Sequence, residues 1–181
     1  MKNRLRILLI HLPHPYPKEK QSAFEEWGKL SITIIQDNHA RKLLEIDWNL
    51  LPFLQWFEEN KAHLFSESFA CKDLELYALD SESLSLALDR AQKREFLENE
   101  TSLEDAWYDF IYQFRCRHSL HFALRGTKTP PITIGRHRGH GEISLSGEDE
   151  TWSYLFDIQD FLYNACRTIE TFKKSGRDDN E

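Results

Sequence analysis

The stretch Thr101–Gly126, TSLEDAWYDFIYQFRCRHSLHFALRG, decides how this 181-residue chain is read. Leu103, Ala106, Trp107, Phe110, Ile111 and Phe114 recur at helical spacing, so one stripe of a helix over 102–124 faces a core. Ser102 suits the N-cap, with Asp105 three residues on as in a capping box, and Gly126 is the natural stop. Beyond Phe114 the stripe passes to His118 and His121, with Arg115, Arg117 and Arg125 beside it. The first half of this helix is read as structural and the second as chemically loaded.

Working outward, Asn49 suits the cap of an earlier helix over 49–65, with Pro52 tolerated in its first turn. Leu50, Leu51, Phe53, Leu54, Phe57 and Leu64 give that helix a broad apolar face, and Trp56 lies off its centre. Helices are also expected over 83–98 and 157–173, the last capped by Asp157 and buried through Ile158, Phe161, Leu162, Ala165, Ile169 and Phe172. Strands are read at Arg4–Leu12, buried on both faces at Ile7–Ile10, and at Leu30–Ile35 and Lys42–Asp47. Near the C-terminus, Ile132–Ile134 and Ile143–Leu145 flank a loop GRHRGHG, and Trp152–Phe156 follows. From Glu67 to Asp80 irregular structure is expected. Strands and helices come in runs rather than alternating, which predicts an α+β fold: a small, mainly antiparallel sheet packed against about four helices. One domain over 1–174 is expected, with a disordered tail at 175–181. Trp48, Trp56, Trp107 and Phe114 are expected to share one core or one buried interface.

Composition bounds the function. The chain is 40% hydrophobic and 13% aromatic, enough for a packed core. A net charge of −7 disfavours general, whole-surface binding to nucleic acid or anionic membrane. No run approaches the roughly 20 apolar residues that span a bilayer. The N-terminal ILLIHL is too short for the core of a signal peptide and lacks a cleavage site, so a cytoplasmic protein is expected. Cys71, Cys116 and Cys166 are odd in number and lie far apart, which reads as thiols in a reducing compartment.

Against that acidic background, Phe110–Gly141 contains no Asp or Glu. It holds six of the 23 basic residues, Arg115, Arg117, Arg125, Lys128, Arg136 and Arg138, and four of the eight histidines. Such segregation marks either a site for an anion, nucleic acid or acidic partner, or arginines that pair with carboxylates elsewhere, such as Glu142 or Glu58 and Glu59. His118, His121, His137 and His140 form an HxxH…HxxH pattern, with Cys116 beside it, that has the residue types of a zinc site. The competing reading makes His118 and His121 core histidines and His137 and His140 polar turn residues, and no cofactor is expected. No HExxH, GxSxG, Walker A or GxGxxG motif occurs, and Ser119 between two histidines is not triad geometry. A non-catalytic role is therefore expected.

Three segments together carry a resemblance: WNLLPFLQWFEENKAHL, the phrase RHSLHFALRG with TPPITI after it, and EISLSG. In order and spacing, over Asp47–Ser146, they resemble the region that precedes IrrE-type zinc peptidase domains in some bacterial proteins. There a helix with an EW-like step and an Asn, here Gln55-Trp56 and Asn60, precedes an "RHSL" turn, here Arg117–Leu120. This chain ends where the peptidase would begin. The resemblance implies a stand-alone sensing or regulatory module whose peptidase, toxin or other effector is encoded separately, and it supplies no catalytic residues.

These readings yield three functional expectations. The first is a regulatory or protein-interaction module of a bacterial defence, toxin-control or stress system, acting through Arg115, Arg117, Arg125, Arg136 and Arg138. The second is a nucleic-acid or phosphate binder using the same arginines. The third is a metalloprotein or hydrolase built on the four histidines.

Overall fold

The computed structural model describes residues 3–15, 25–37, 39–79, 81–97 and 100–178, and everything below concerns those residues. Its architecture is α+β, with helices packed beside small antiparallel sheets. The chain divides into two compact units, one formed by 1–59 and 156–181 and the other by 60–155.

The first unit is built on a meander of β1 (Arg4–His11), β2 (Trp27–Gln36) and β3 (His39–Asn49). β1 pairs Leu5 with Ile34 and Leu9 with Leu30, which puts the buried side chains of both strands on one face. The strand is not buried on both faces as its apolar run suggests. Leu8 and Ile10 are 53% and 45% exposed, because β1 is an edge strand of an antiparallel sheet with one covered face. Asn49 ends β3 and caps α1 (Leu51–Ser66): its Oδ1 accepts from the backbone N–H of Leu51 at 3.1 Å and of Glu26 at 2.9 Å. The helix crosses from this unit into the next at residue 59.

α5 (Ile158–Asp178) closes the first unit against β1. Asp157 caps it by accepting from the N–H groups of Gln159 and Asp160, and Phe161 meets Phe57 edge-on. Of its expected stripe, Ile158, Phe161, Ala165, Ile169 and Phe172 are buried and Leu162 is half-buried. The helix is continuous to Asp178; residues 179–181 of the expected tail lie outside the described residues.

The second unit holds the two-residue strands β4 (Ala70–Cys71) and β5 (Leu76–Tyr77) and the helices α2 (Leu84–Gln92), α3 (Thr101–His118) and α4 (Leu120–Ala123). A sheet of β6 (Thr133–His137), β7 (His140–Ser146) and β8 (Thr151–Phe156) completes it. Phe69, Leu84, Leu88, Trp107, Ile111 and Phe114 belong to one buried cluster. Trp107 and Phe114 share that cluster, and Trp48 and Trp56 belong to the first unit.

Three further boundaries differ from the sequence reading. α2 stops at Gln92, well short of 98, because the next residues serve Trp107. The indole N–H donates to the Ala91 carbonyl at 2.9 Å, Phe96 meets the ring edge-on, and the Arg94 guanidinium lies 4.3 Å from its centroid. The predicted loop GRHRGHG is mostly strand, and only Arg138 and Gly139 turn, both at positive φ as a two-residue hairpin requires.

The third difference is the largest. α3 begins at Thr101, one residue ahead of the expected cap, and its cap position is Glu100 with no side-chain bond. It then breaks at Ser119, which is extended at φ −96° and ψ 126°. Ser119 pairs with Thr133 across a single bridge, and the Leu120 N–H donates to the Ile132 carbonyl at 2.9 Å. Backbone groups that a continuous helix would consume are spent on the start of β6 instead.

Candidate functional site

The break at Ser119 builds the corner where the sequence-predicted arginines begin. In one unbroken helix Tyr112 and Phe122 would stand about 15 Å apart along the axis. Here α4 folds back and their rings meet edge-on at 6.0 Å. His121 adds a second edge contact to Phe122. The guanidinium of Arg115 lies 5.6 Å from the Phe122 centroid and that of Arg125 lies 5.5 Å from it, both within cation–π reach. Tyr112 is 57% exposed and Tyr108, one turn earlier, is 40% exposed. The corner therefore displays aromatic edges and two cations to solvent, the side-chain types enriched where proteins bind partners.

The other three arginines are placed differently. Arg117 is turned to Glu67, donating to its two carboxylate oxygens at 3.0 and 3.3 Å. Arg138 donates to the carbonyls of Leu79 and Glu82 and so ties the β6–β7 turn to the segment before α2. Arg136 is exposed on β6. Of the predicted set, only Arg115 and Arg125 converge on one feature.

Glu67 was not visible as a site residue in the sequence. It sits just past the end of α1 and gathers His63 at 3.1 Å, Arg117 at 3.0 Å and His118 at 3.4 Å. Burial raises its pKa, but the hydrogen bond from His118 and the charges of His118, Arg117 and His63 outweigh burial and hold it below the ordinary carboxylate value. His118 is completely buried, stacks on Phe114 at 4.0 Å, and donates from Nδ1 to the Ile134 carbonyl at 2.9 Å. It is a core histidine that joins α3, β6 and the end of α1.

The second HxxH pair is split in the same way. His137 is buried, and its Nε2 lacks a hydrogen-bond partner among the described residues, 3.9 Å from Glu142 Oε2. Glu142 is itself buried and accepts from the Leu84 N–H at 2.7 Å through Oε1, which satisfies a free donor at the start of α2. Ser144 accepts from the next N–H, that of Ser85, at 3.1 Å. His121 and His140 are exposed. Among the described residues, no three His, Cys, Asp or Glu side chains gather as metal ligands would. No disulfide links Cys71, Cys116 and Cys166. Among the described residues, no helix is long and apolar enough to cross a membrane.

No protein-family model, curated protein or solved structure matches the chain.

Proposed function

We propose that this protein is a cytoplasmic, non-catalytic interaction module that binds an acidic segment of a protein partner at the α3–α4 corner. The observation that carries this reading is the convergence of Arg115 and Arg125 on Phe122, beside the exposed rings of Tyr108 and Tyr112. Charge complementarity selects the partner: no carboxylate occurs between Phe110 and Gly141, while the chain as a whole carries −7. A nucleic-acid partner fits less well, because the rest of the acidic surface repels a polyanion beyond the small corner. In keeping with the resemblance to regions that precede zinc peptidases, the partner would be an effector, such as a peptidase or toxin of a bacterial defence or stress system.

The test is affinity capture from nuclease-treated lysate, comparing wild type with the double variant Arg115→Glu, Arg125→Glu. A stoichiometric protein partner that survives nuclease and is lost with the folded variant supports the reading. Capture abolished by nuclease favours the nucleic-acid alternative, and undiminished capture by the variant sinks the corner as the binding surface.

A further inference from the structure

A cleft of about 340 Å3 opens in the second unit beside this corner, and the partner surface does not account for it. It lies among α2, the α3–α4 break and the strands β6 and β7. Arg115 and His121 line one part of it, and Ser119, Thr129, Thr133 and Ser146 supply a set of hydroxyls. Its volume is at the lower end of the range for small-molecule sites.

Two features distinguish it from an ordinary surface dent. The first is charge. Arg115 has no ion-pair partner among the described residues, while Asp89, the one carboxylate in the lining, is engaged by Lys93 at 2.8 Å. The cleft thus presents an uncompensated guanidinium, suited to a planar or tetrahedral oxyanion. The second is the state of the hydroxyls. Ser119 and Thr133 are 5% and 3% exposed, so their side chains are fixed by packing. Yet among the described residues no hydrogen bond engages either hydroxyl, and neither is among the fully covered polar atoms that lack a partner. Both residues line the cleft. A buried hydroxyl left without an internal partner is costly unless something in the cleft bonds to it.

We propose that this cleft binds a small polyol bearing one oxyanion, of the sugar-phosphate or sugar-acid class. Arg115 holds the oxyanion, and Ser119 and Thr133 bond the hydroxyls of the carbon skeleton. The partner surface around Phe122 is a separate reading, although Arg115 serves both.

The experiment is calorimetric titration of the full chain with ribose 5-phosphate, gluconate, inorganic phosphate and uncharged ribose at millimolar concentration. Saturable binding of ribose 5-phosphate or gluconate is expected, with the tighter of the two assigning phosphate or carboxylate, and with ribose and inorganic phosphate both weaker. Arg115→Gln should weaken the tighter anion by roughly tenfold to a hundredfold, the loss of one charge-assisted hydrogen bond. Thr133→Val keeps the side-chain shape and should weaken it by roughly tenfold at an unchanged melting temperature. This second variant decides the matter if Arg115→Gln folds poorly. Arg136→Gln, which removes one positive charge outside the cleft, should bind as wild type. The proposal is overturned if neither anion saturates, if ribose binds as tightly as the anions, or if Thr133→Val binds unchanged. Loss of the cleft in this test leaves partner capture through Phe122 standing, and the reverse holds.

Discussion

The imidazole of His118 fills the space in which any side chain at Gly135 would have to stand. A Cβ built on Gly135 would lie 2.6 Å from His118 Nδ1 and 3.1 Å from Cε1, with Leu84 Cδ1 at 3.4 Å. Gly135 is therefore required by contact, not by backbone conformation. It lets β6 approach α3 closely enough for Ile134 to accept from His118 at 2.9 Å. Gly135→Ala should cost about 1–3 kcal/mol, as overpacking of a dense core does. Urea unfolding would show this as a lower midpoint at an unchanged slope. A midpoint equal to that of wild type would mean His118 can move aside freely.

Glu67 should give the fold an acid-sensitive joint. Its pKa is depressed in the folded protein from an ordinary value of 4.5, with the His118 bond and the neighbouring positive charges prevailing over burial. A depressed carboxylate contributes stability that is fully present above its unfolded pKa and is lost as pH falls through the folded one. Stability should accordingly fall as pH drops from about 4.5 downward, and Glu67→Gln should flatten that part of the profile. Thermal melts of both proteins across this range are the check. Parallel profiles would remove Glu67 as the source.

Trp107 anchors the second unit. It is 4% exposed, donates to the Ala91 carbonyl and carries Phe96 and Arg94 on its ring. Trp107→Ala should cost about 3–5 kcal/mol, the usual cost of emptying a large aromatic site. Trp107→Phe restores most of the volume but removes the indole donor at 2.9 Å, leaving the Ala91 carbonyl to the longer Arg94 N–H contact at 3.4 Å, and should cost about 1–3 kcal/mol. Melting temperatures in the order wild type, Phe, Ala would confirm both parts, and equal values for Phe and Ala would assign the effect to the hydrogen bond alone.

These residues also show what the sequence could and could not reveal. Trp107, Ile111 and Phe114 are buried as their spacing predicts, and Asn49 and Asp157 cap the helices they precede, because periodicity and capping are local. The end of α3 was not legible in this way. Ser119 leaves the helix because its backbone pairs with Thr133, fourteen residues on, and nothing near Ser119 announces that. The consequence reaches the site itself. The meeting of Tyr112 with Phe122 and the lining of the polar cleft both depend on the break, and the hydroxyls at 119, 129, 133 and 146 follow no spacing that would single them out. Burial of Glu142 was hidden for the same reason, since its partner is a backbone N–H on a distant helix.

The basic run from Arg115 to Arg138 should separate into structural and available arginines when charges are reversed one at a time. Arg117 sits against Glu67 and only partly in solvent, so Arg117→Glu would place two carboxylates together beside the buried His118 and remove a cation that Glu67 needs. A loss of about 1–3 kcal/mol is expected, larger than a surface pair would give, because the remaining partner is partly buried. Arg125 is exposed, with its guanidinium over the Phe122 ring, so Arg125→Glu should change stability by no more than about 0.5 kcal/mol. Raising the salt concentration should rescue Arg117→Glu only in part, since screening acts weakly on buried charge. Chemical denaturation of the two single variants distinguishes the cases directly. If Arg125→Glu proves the more damaging, Phe122 and its cations belong to the stabilising framework of the second unit and are not a surface held ready for a partner.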